Sequence, residues 1–370
     1  MTYCIGWRTK SAAFLIADAA ATTRGGALRG TRSTFGELHV SERGRCVEET
    51  SLKLYRWHNL GMTASGDAAT IRQFARLVHR HLGRGFPEIA ALQAALEEIK
   101  RLSERRFEAL FATSLCGRPR LFRLDGDGAW HYVPRMHAVH LGSPSNRFKE
   151  FVHQVISEVL HDRLPTDAQL VCALAACQSL TVHEYLMAEG AGGAFTGLIA
   201  ERNGVRWQPD LAYILLNPSD VRRIDQPPVP SRETNLISCV VRDDVLFVAS
   251  PHSRGTIAFL SPTTDTADAE MIERARAAYP SAALVRGEAT FAYVATISRQ
   301  KPIVAVVQTK GRAASPHLRL SRVPAGDVEA FEVRASKMLH SVMTGEGPGF
   351  DRPRLIYCAD TAEPTRGLGT

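Results

Sequence analysis

Thr2 is the residue whose position, more than its type, points to chemistry. It follows Met1, and once that methionine leaves, its hydroxyl is a nucleophile with a base built in. The freed α-amine titrates near pH ~8, and its pKa is easily lowered. Threonine is small enough for methionine removal to be expected. Thr2 also begins an alternating run to Trp7 that is rich in β-formers, so amine and hydroxyl would stand at the start of a strand. The chemistry of such a residue is acyl transfer: attack on an amide carbonyl, an ester on the hydroxyl, then release to water.

The other chemistry-bearing side chains assemble less readily. Thirteen histidines include His79 with His81 and His131 with His137, but none has metal-ligand spacing with a carboxylate, and no metal site is expected. Seven cysteines at positions 4, 46, 116, 172, 177, 239 and 358 form no CxxC pair, so they indicate neither a zinc site nor a disulfide framework. Cytoplasmic placement is expected from this usage. Gly190–Gly197 lacks a Walker lysine and follows a helical stretch, which makes it a turn and not a phosphate loop. No apolar run approaches bilayer-spanning length, and Arg8, Lys10 and Asp18 interrupt the first apolar segment, against a secretory signal. With 45 basic and 38 acidic side chains the net charge is +7, dispersed along the chain, so nucleic acid is an unlikely partner and a membrane is not expected.

The 370 residues suit two domains. Thr2–Trp7 and Ala12–Ala17 read as a hairpin, Phe35–Val40 and Arg45–Trp57 as two strands, and Leu60–Ala64 as a strand closed by Ser65-Gly66-Asp67. Asp67 is placed to cap a helix with Ile71, Phe74, Ala75, Val78 and Leu82 on one face, and Glu88–Arg106 is a second helix. Strands at 108–115, 120–124, 129–133 and 137–141 follow, then helices at 147–160 and from Pro165 to about Met187, then strands at 195–200 and 211–216. Strands, two helices, strands, two helices, strands is the order of a sandwich of two sheets between helical layers. Asn217–Pro230, with four prolines, reads as a linker. The expected division is therefore 1–220, a linker at 221–230, a small α+β domain at 231–345 with helices at 267–279 and 328–343, and a flexible tail at 346–370.

Thr2-Tyr3-Cys4-Ile5-Gly6 with Phe14-Leu15-Ile16-Ala17-Asp18, Lys53–Asp67, the Gly117–Asp127 hairpin, and the turn His140-Leu141-Gly142-Ser143 occur in that order. Together they resemble the proteasome β-subunit family of N-terminal-nucleophile hydrolases, and the opening is most similar to the bacterial ancestral-β-subunit branch. The resemblance covers about residues 2–220. It implies a four-layer αββα fold, no cofactor, a homo-oligomer and a peptide or protein substrate. It also implies roles: Thr2 as nucleophile, Asp18 paired with Lys53, Lys53 lowering the basicity of Thr2, Ser143 bonded to the Thr2 amine, and the N–H groups of Ser65 and Gly66 facing the oxyanion.

This chain departs from the family's pattern in three places. The interval from Asp18 to Lys53 is long, with Gly25–Glu49 as an inserted hairpin, and a second alignment puts Glu37 at the lysine position, where the site would be inactive. Ser65 stands where the family has glycine. Ala188 and Ala191 stand where the family has an Asp and a Ser before Gly192-Gly193, with Glu189 shifted by one. Beside the threonine peptidase stand a catalytically inactive scaffold that binds partners, a small-molecule amidohydrolase, and a nucleic-acid module using the basic C-terminal half. The C-terminal domain is expected to dock a protein partner, cap an oligomer or gate access.

Overall fold

Strand β1 (Tyr3–Arg8) is buried along its whole length, because both of its faces are covered. In a computed structural model of the chain, the residues described are 2–24, 39–40, 45–49, 52–102, 106–115, 117–161, 166–184, 190–209, 211–216, 235–242, 244–249, 256–260, 289–296, 302–309 and 355–359. The molecule is of mixed α and β type, with two five-stranded antiparallel sheets in its first part.

The first sheet runs β11 (Ala138–Gly142), β1, β2 (Ala13–Asp18), β12 (Phe195–Glu201), β13 (Gly204–Trp207). The second runs β10 (Trp130–Tyr132), β9 (Arg118–Leu124), β8 (Phe107–Leu115), β7 (Leu60–Gly66), β6 (Leu54–Arg56). Strand side chains alternate between faces, and the alternation sorts them into separate cores. Tyr3, Ile5, Trp7, Phe14 and Ile16 pack with Phe148, Val152 and residues 170–177, which belong to α3 (Asn146–His161) and α4 (Thr166–Glu184). Cys4, Ala13, Leu15 and Ala17 face the other way, onto Leu110, Ala112 and Leu121 of the second sheet. That sheet's opposite face, Leu60, Met62, Ala109 and Phe111, packs with α1 (Ala68–Gly83) and α2 (Glu88–Leu102).

The expected cap is present: Asp67 keeps extended backbone, and its carboxylate accepts from Thr70 N–H at 3.0 Å. Helix α1 then buries Ile71, Phe74, Ala75 and Val78, the stripe read from the sequence. Helix α4 has no such stripe. Its residues 170–177 are all inaccessible, and a helix apolar on every side is a buried helix. Besides β12 it packs against a third sheet.

That third sheet has seven strands in the order β17 (Thr256–Leu260), β16 (Val245–Ala249), β15 (Asn235–Arg242), β14 (Leu211–Leu216), β18 (Ala289–Thr296), β19 (Pro302–Thr309), β20 (Leu355–Ala359). The β14–β18 and β19–β20 pairs are parallel. Strand β14, expected with the first-domain strands, is instead central here. Leu-Ala-Tyr-Ile-Leu-Leu has no alternation to say which sheet it joins. The hairpin read about Arg242–Asp244 is present as β15–β16. Strands β13 and β17 were not expected, and β20 lies inside the stretch read as a tail. Linker 221–230 and the helices read at 267–279 and 328–343 lie outside the described residues.

The long interval before Lys53 contains a small sheet of its own, with β5 (Arg45–Glu49) between β3 (Ala20–Arg24) and β4 (His39–Val40). The strand expected to run unbroken from Arg45 to Trp57 is thus two, β5 and β6, in different sheets.

Candidate active site

Asp18 ends β2 beside the start of β1, and after Ala19 the chain runs on into β3 of the small sheet. Its side chain is withdrawn from solvent, and its donors come from three separate segments. Oδ1 accepts from Tyr3 N–H at 3.1 Å and from Lys53 Nζ at 2.5 Å, and Oδ2 accepts from Gly192 N–H at 2.9 Å. Lys53 Nζ also donates to the Ala20 carbonyl. Burial pushes the Asp18 carboxyl above the ordinary carboxylate range, while the Lys53 ammonium and the two backbone N–H groups pull it down. The Asp18–Lys53 pair expected from the sequence is therefore present; Glu37, the competing residue, lies outside the described residues.

Lys53 is itself held. Thr63 Oγ1, on β7, donates to the Lys53 carbonyl at 3.1 Å and lies 2.9 Å from Cys4 Sγ. The Cys4 thiol donates to Ala64 O at 3.6 Å, and burial pushes its pKa up to about 12. Cys4 thus stays a neutral thiol packed under the pair and offers no thiolate.

Thr2 is placed by backbone contacts. Its carbonyl accepts from Ser143 N–H at 3.3 Å, continuing the β1–β11 ladder by one residue. Gly142, at φ +97°, makes room for this: a Cβ there would run into the Thr2 carbonyl. Ser143 meets Thr2 through its main chain, and its side chain is exposed. Met1, whose removal the expected chemistry requires, lies outside the described residues.

Ladder alternation separates the two oxyanion candidates. Trp57 and Leu60 exchange backbone bonds on the β6 side of β7, while Ser114 N–H donates to Asn59 O on the β8 side. The register of β7 with β8 is unbroken from Leu60 to Gly66. Every second residue therefore faces the same neighbour, which directs the Ser65 N–H to Glu108 on β8 and the Gly66 N–H to the opposite side, past the end of β6. Gly66 carries φ +139° where a Cβ would strike the Phe107 and Arg106 backbone, so the turn's shape requires glycine.

Three supports were not read as site residues. The Gly192 N–H on Asp18 belongs to the Gly-Gly turn, whose sequence was noted but not its target. Glu49, from β5, accepts from Ala194 N–H at 2.5 Å and lies against Gly193, whose φ is +71°. Gln178, buried in α4, donates to Gly193 O at 3.0 Å and accepts from Phe195 N–H at 3.1 Å. A carboxylate on one side and an amide on the other thus fix the turn that aims Gly192 at Asp18. Residues 185–189, including Ala188 and Glu189, lie outside the described residues; Ala191, at the family's Ser position, is buried without a polar side chain.

Among the described residues no group of three or more His, Cys, Asp or Glu side chains could hold a metal ion. Among the described residues no helix is long and apolar enough to cross a membrane. No family model and no curated protein matches the chain. Among solved structures it is similar to the Anbu (Gly-1) mutant from Hyphomicrobium sp. strain MC1, at 15% identity and a TM-score of 0.41, over 56% of this chain and 86% of that one.

Proposed function

We propose that the chain is a threonine-nucleophile amidohydrolase acting on peptide bonds, built on a four-layer αββα arrangement of the two antiparallel sheets and helix pairs. The observation that carries this reading is the buried Lys53–Asp18 pair, whose carboxylate oxygen also receives the N–H of Tyr3, the residue after Thr2. A buried ion pair is not a stabilising device in itself, because desolvation offsets most of its attraction. Placed one residue from an N-terminal hydroxyl, it has a use: a fixed cation that favours the deprotonated amine and hydroxyl.

In this mechanism Met1 is removed and the Thr2 amine takes the hydroxyl proton as Thr2 Oγ attacks the amide carbon. The oxyanion meets the Gly66 N–H, a contribution of about 3 kcal/mol for one well-aimed donor. The amine returns the proton to the leaving nitrogen, and an ester remains on Thr2. Water, deprotonated by the same amine, hydrolyses the ester and frees Thr2. Cytoplasmic location, a homo-oligomeric state and partner docking by the seven-stranded sheet belong to the same proposal.

Intact mass and turnover test it together. The purified protein should lack Met1 and should hydrolyse fluorogenic peptides, with activity lost in Thr2→Ala and partly kept in Thr2→Ser. Retained Met1, or turnover unchanged in Thr2→Ala, would sink the enzyme reading and leave a non-catalytic scaffold.

A further inference from the structure

At the opposite end of β1 from Thr2, about 20 Å away at strand rise, Arg8 is only 6% exposed. Its Nε donates to Val133 O at 2.8 Å and one terminal nitrogen to Pro119 O at 3.4 Å, and its guanidinium lies 4.4 Å from the centre of the Tyr132 ring. Arg120 lies 5.4 Å from the same ring and donates to Tyr132 OH at 2.7 Å. Burial, then repulsion from Arg135 and Arg120, pulls the Arg8 pKa down. Among the described residues none of these three arginines meets a carboxylate. Acids at the other end of β8 and β9 are engaged elsewhere: Asp125 with His131, Glu108 with Arg123 and Asp127 with Arg106. A buried guanidinium crowded by two others and facing no anion is costly, and a bound anion relieves the cost.

The same place is a sheet edge. β10 is the terminal strand of its sheet. Asp125 N–H donates to Ala129 O and Val133 N–H to Leu121 O. In the β9–β10 register this turns the N–H and C=O of Trp130 and Tyr132 away from β9. Tyr132 and Met136, 44% and 49% exposed, flank that edge.

We propose that the β10 edge is a docking site for an extended acidic segment of a partner protein, which pairs as a strand with Trp130 and Tyr132 while its carboxylates meet Arg8, Arg120 and Arg135. An edge that no described strand covers supplies backbone partners, and the three arginines supply the charge preference. A nucleic acid fits less well, because Arg8 and Arg120 already lie against the Tyr132 ring that a base would stack on.

The test uses the full chain and a fluorescein-labelled alternating Glu–Val peptide, followed by anisotropy at low salt. Wild type should bind it, and Arg120→Gln with Arg135→Gln should weaken binding about tenfold or more. Arg72→Gln with Arg76→Gln, which removes the same charge from the exposed face of α1, should leave binding unchanged. Proline at alternate positions of the peptide should abolish binding by removing the N–H groups. Should the double variant melt early, Arg135→Gln alone, at an exposed position, serves instead. No binding by wild type, equal weakening in both variant pairs, or tighter binding of a single-stranded oligonucleotide would each overturn the proposal.

Discussion

Lys53 Nζ lies 2.5 Å from Asp18 Oδ1, with the lysine side chain 12% exposed and the aspartate side chain not exposed at all. The two residues stand 35 positions apart, and a small three-stranded sheet lies within the interval between them. That sheet contains Glu49, which supports the turn that donates to Asp18's other oxygen. The insertion is therefore a structural part of the site.

Lys53→Met keeps the stem and leaves the Asp18 charge unanswered. Losing one member of a buried pair costs about 3 kcal/mol or more. The pH dependence identifies the cause. Burial raises the folded pKa of Asp18 above its unfolded value, so between the two the folded protein holds more protons, and stability falls as pH rises through that window. Lys53 is the largest influence opposing the rise, so its removal extends the window upward. Urea denaturation against pH should show a deficit that is small in acid, where Asp18 is protonated folded and unfolded alike, and grows toward neutral pH. A deficit independent of pH would refute the account.

Local features were legible in the sequence because their causes are local. Asp67 followed by a spaced apolar stripe is a cap and a helix wherever it occurs, and the β-formers of Thr2–Trp7 favour a strand. Asp18 and Lys53 were legible only through their flanking segments, since nothing in either residue names its partner. Glu49 and Ala194 are separated by 145 positions and Gly192 and Asp18 by 174, so no spacing argument reaches them. Strand β14 failed for a different reason: six residues without alternation carry no facing information, and their sheet is set by partners at Asn235–Arg242 and Ala289–Thr296.

Glu49 offers a double test. Glu49→Ala strands the Ala194 N–H and should cost about 1–2 kcal/mol, with Glu49→Gln restoring most of it because the amide oxygen still accepts. Gly193→Ala in wild type meets both an unfavourable φ of +71° and the Glu49 carboxylate. In the Glu49→Ala background the clash with the carboxylate disappears while the backbone part remains. Chemical denaturation of the four proteins should therefore give a coupling of at least ~0.5 kcal/mol, the lower end for residues in contact. Additive effects would mean that the carboxylate does not rest on this turn.

His140 gives the site an acid limit. Its Nδ1 lies 2.9 Å from Tyr3 OH, and its Nε2 is buried without a hydrogen-bond partner among the described residues. An orphaned N–H is rarer in proteins than an orphaned acceptor, which favours the neutral tautomer with the proton on Nδ1, donating to the Tyr3 oxygen. Burial first, then the charges of His153 and Lys149, holds the His140 pKa down at about 4. In the unfolded chain an imidazole titrates near ~6.5. Between these values the unfolded state binds the extra proton, so stability is lost as pH falls from about 6.5 toward 4, by about 3 kcal/mol in full. The strain enters at Tyr3, whose N–H is on Asp18 and whose neighbour is Thr2, so acid should loosen the site before the whole fold. His140→Gln keeps a polar partner for Tyr3 without a titrating group. Its melting temperature should fall less than wild type between pH ~6.5 and ~4, and equal slopes would show that the acid loss begins elsewhere.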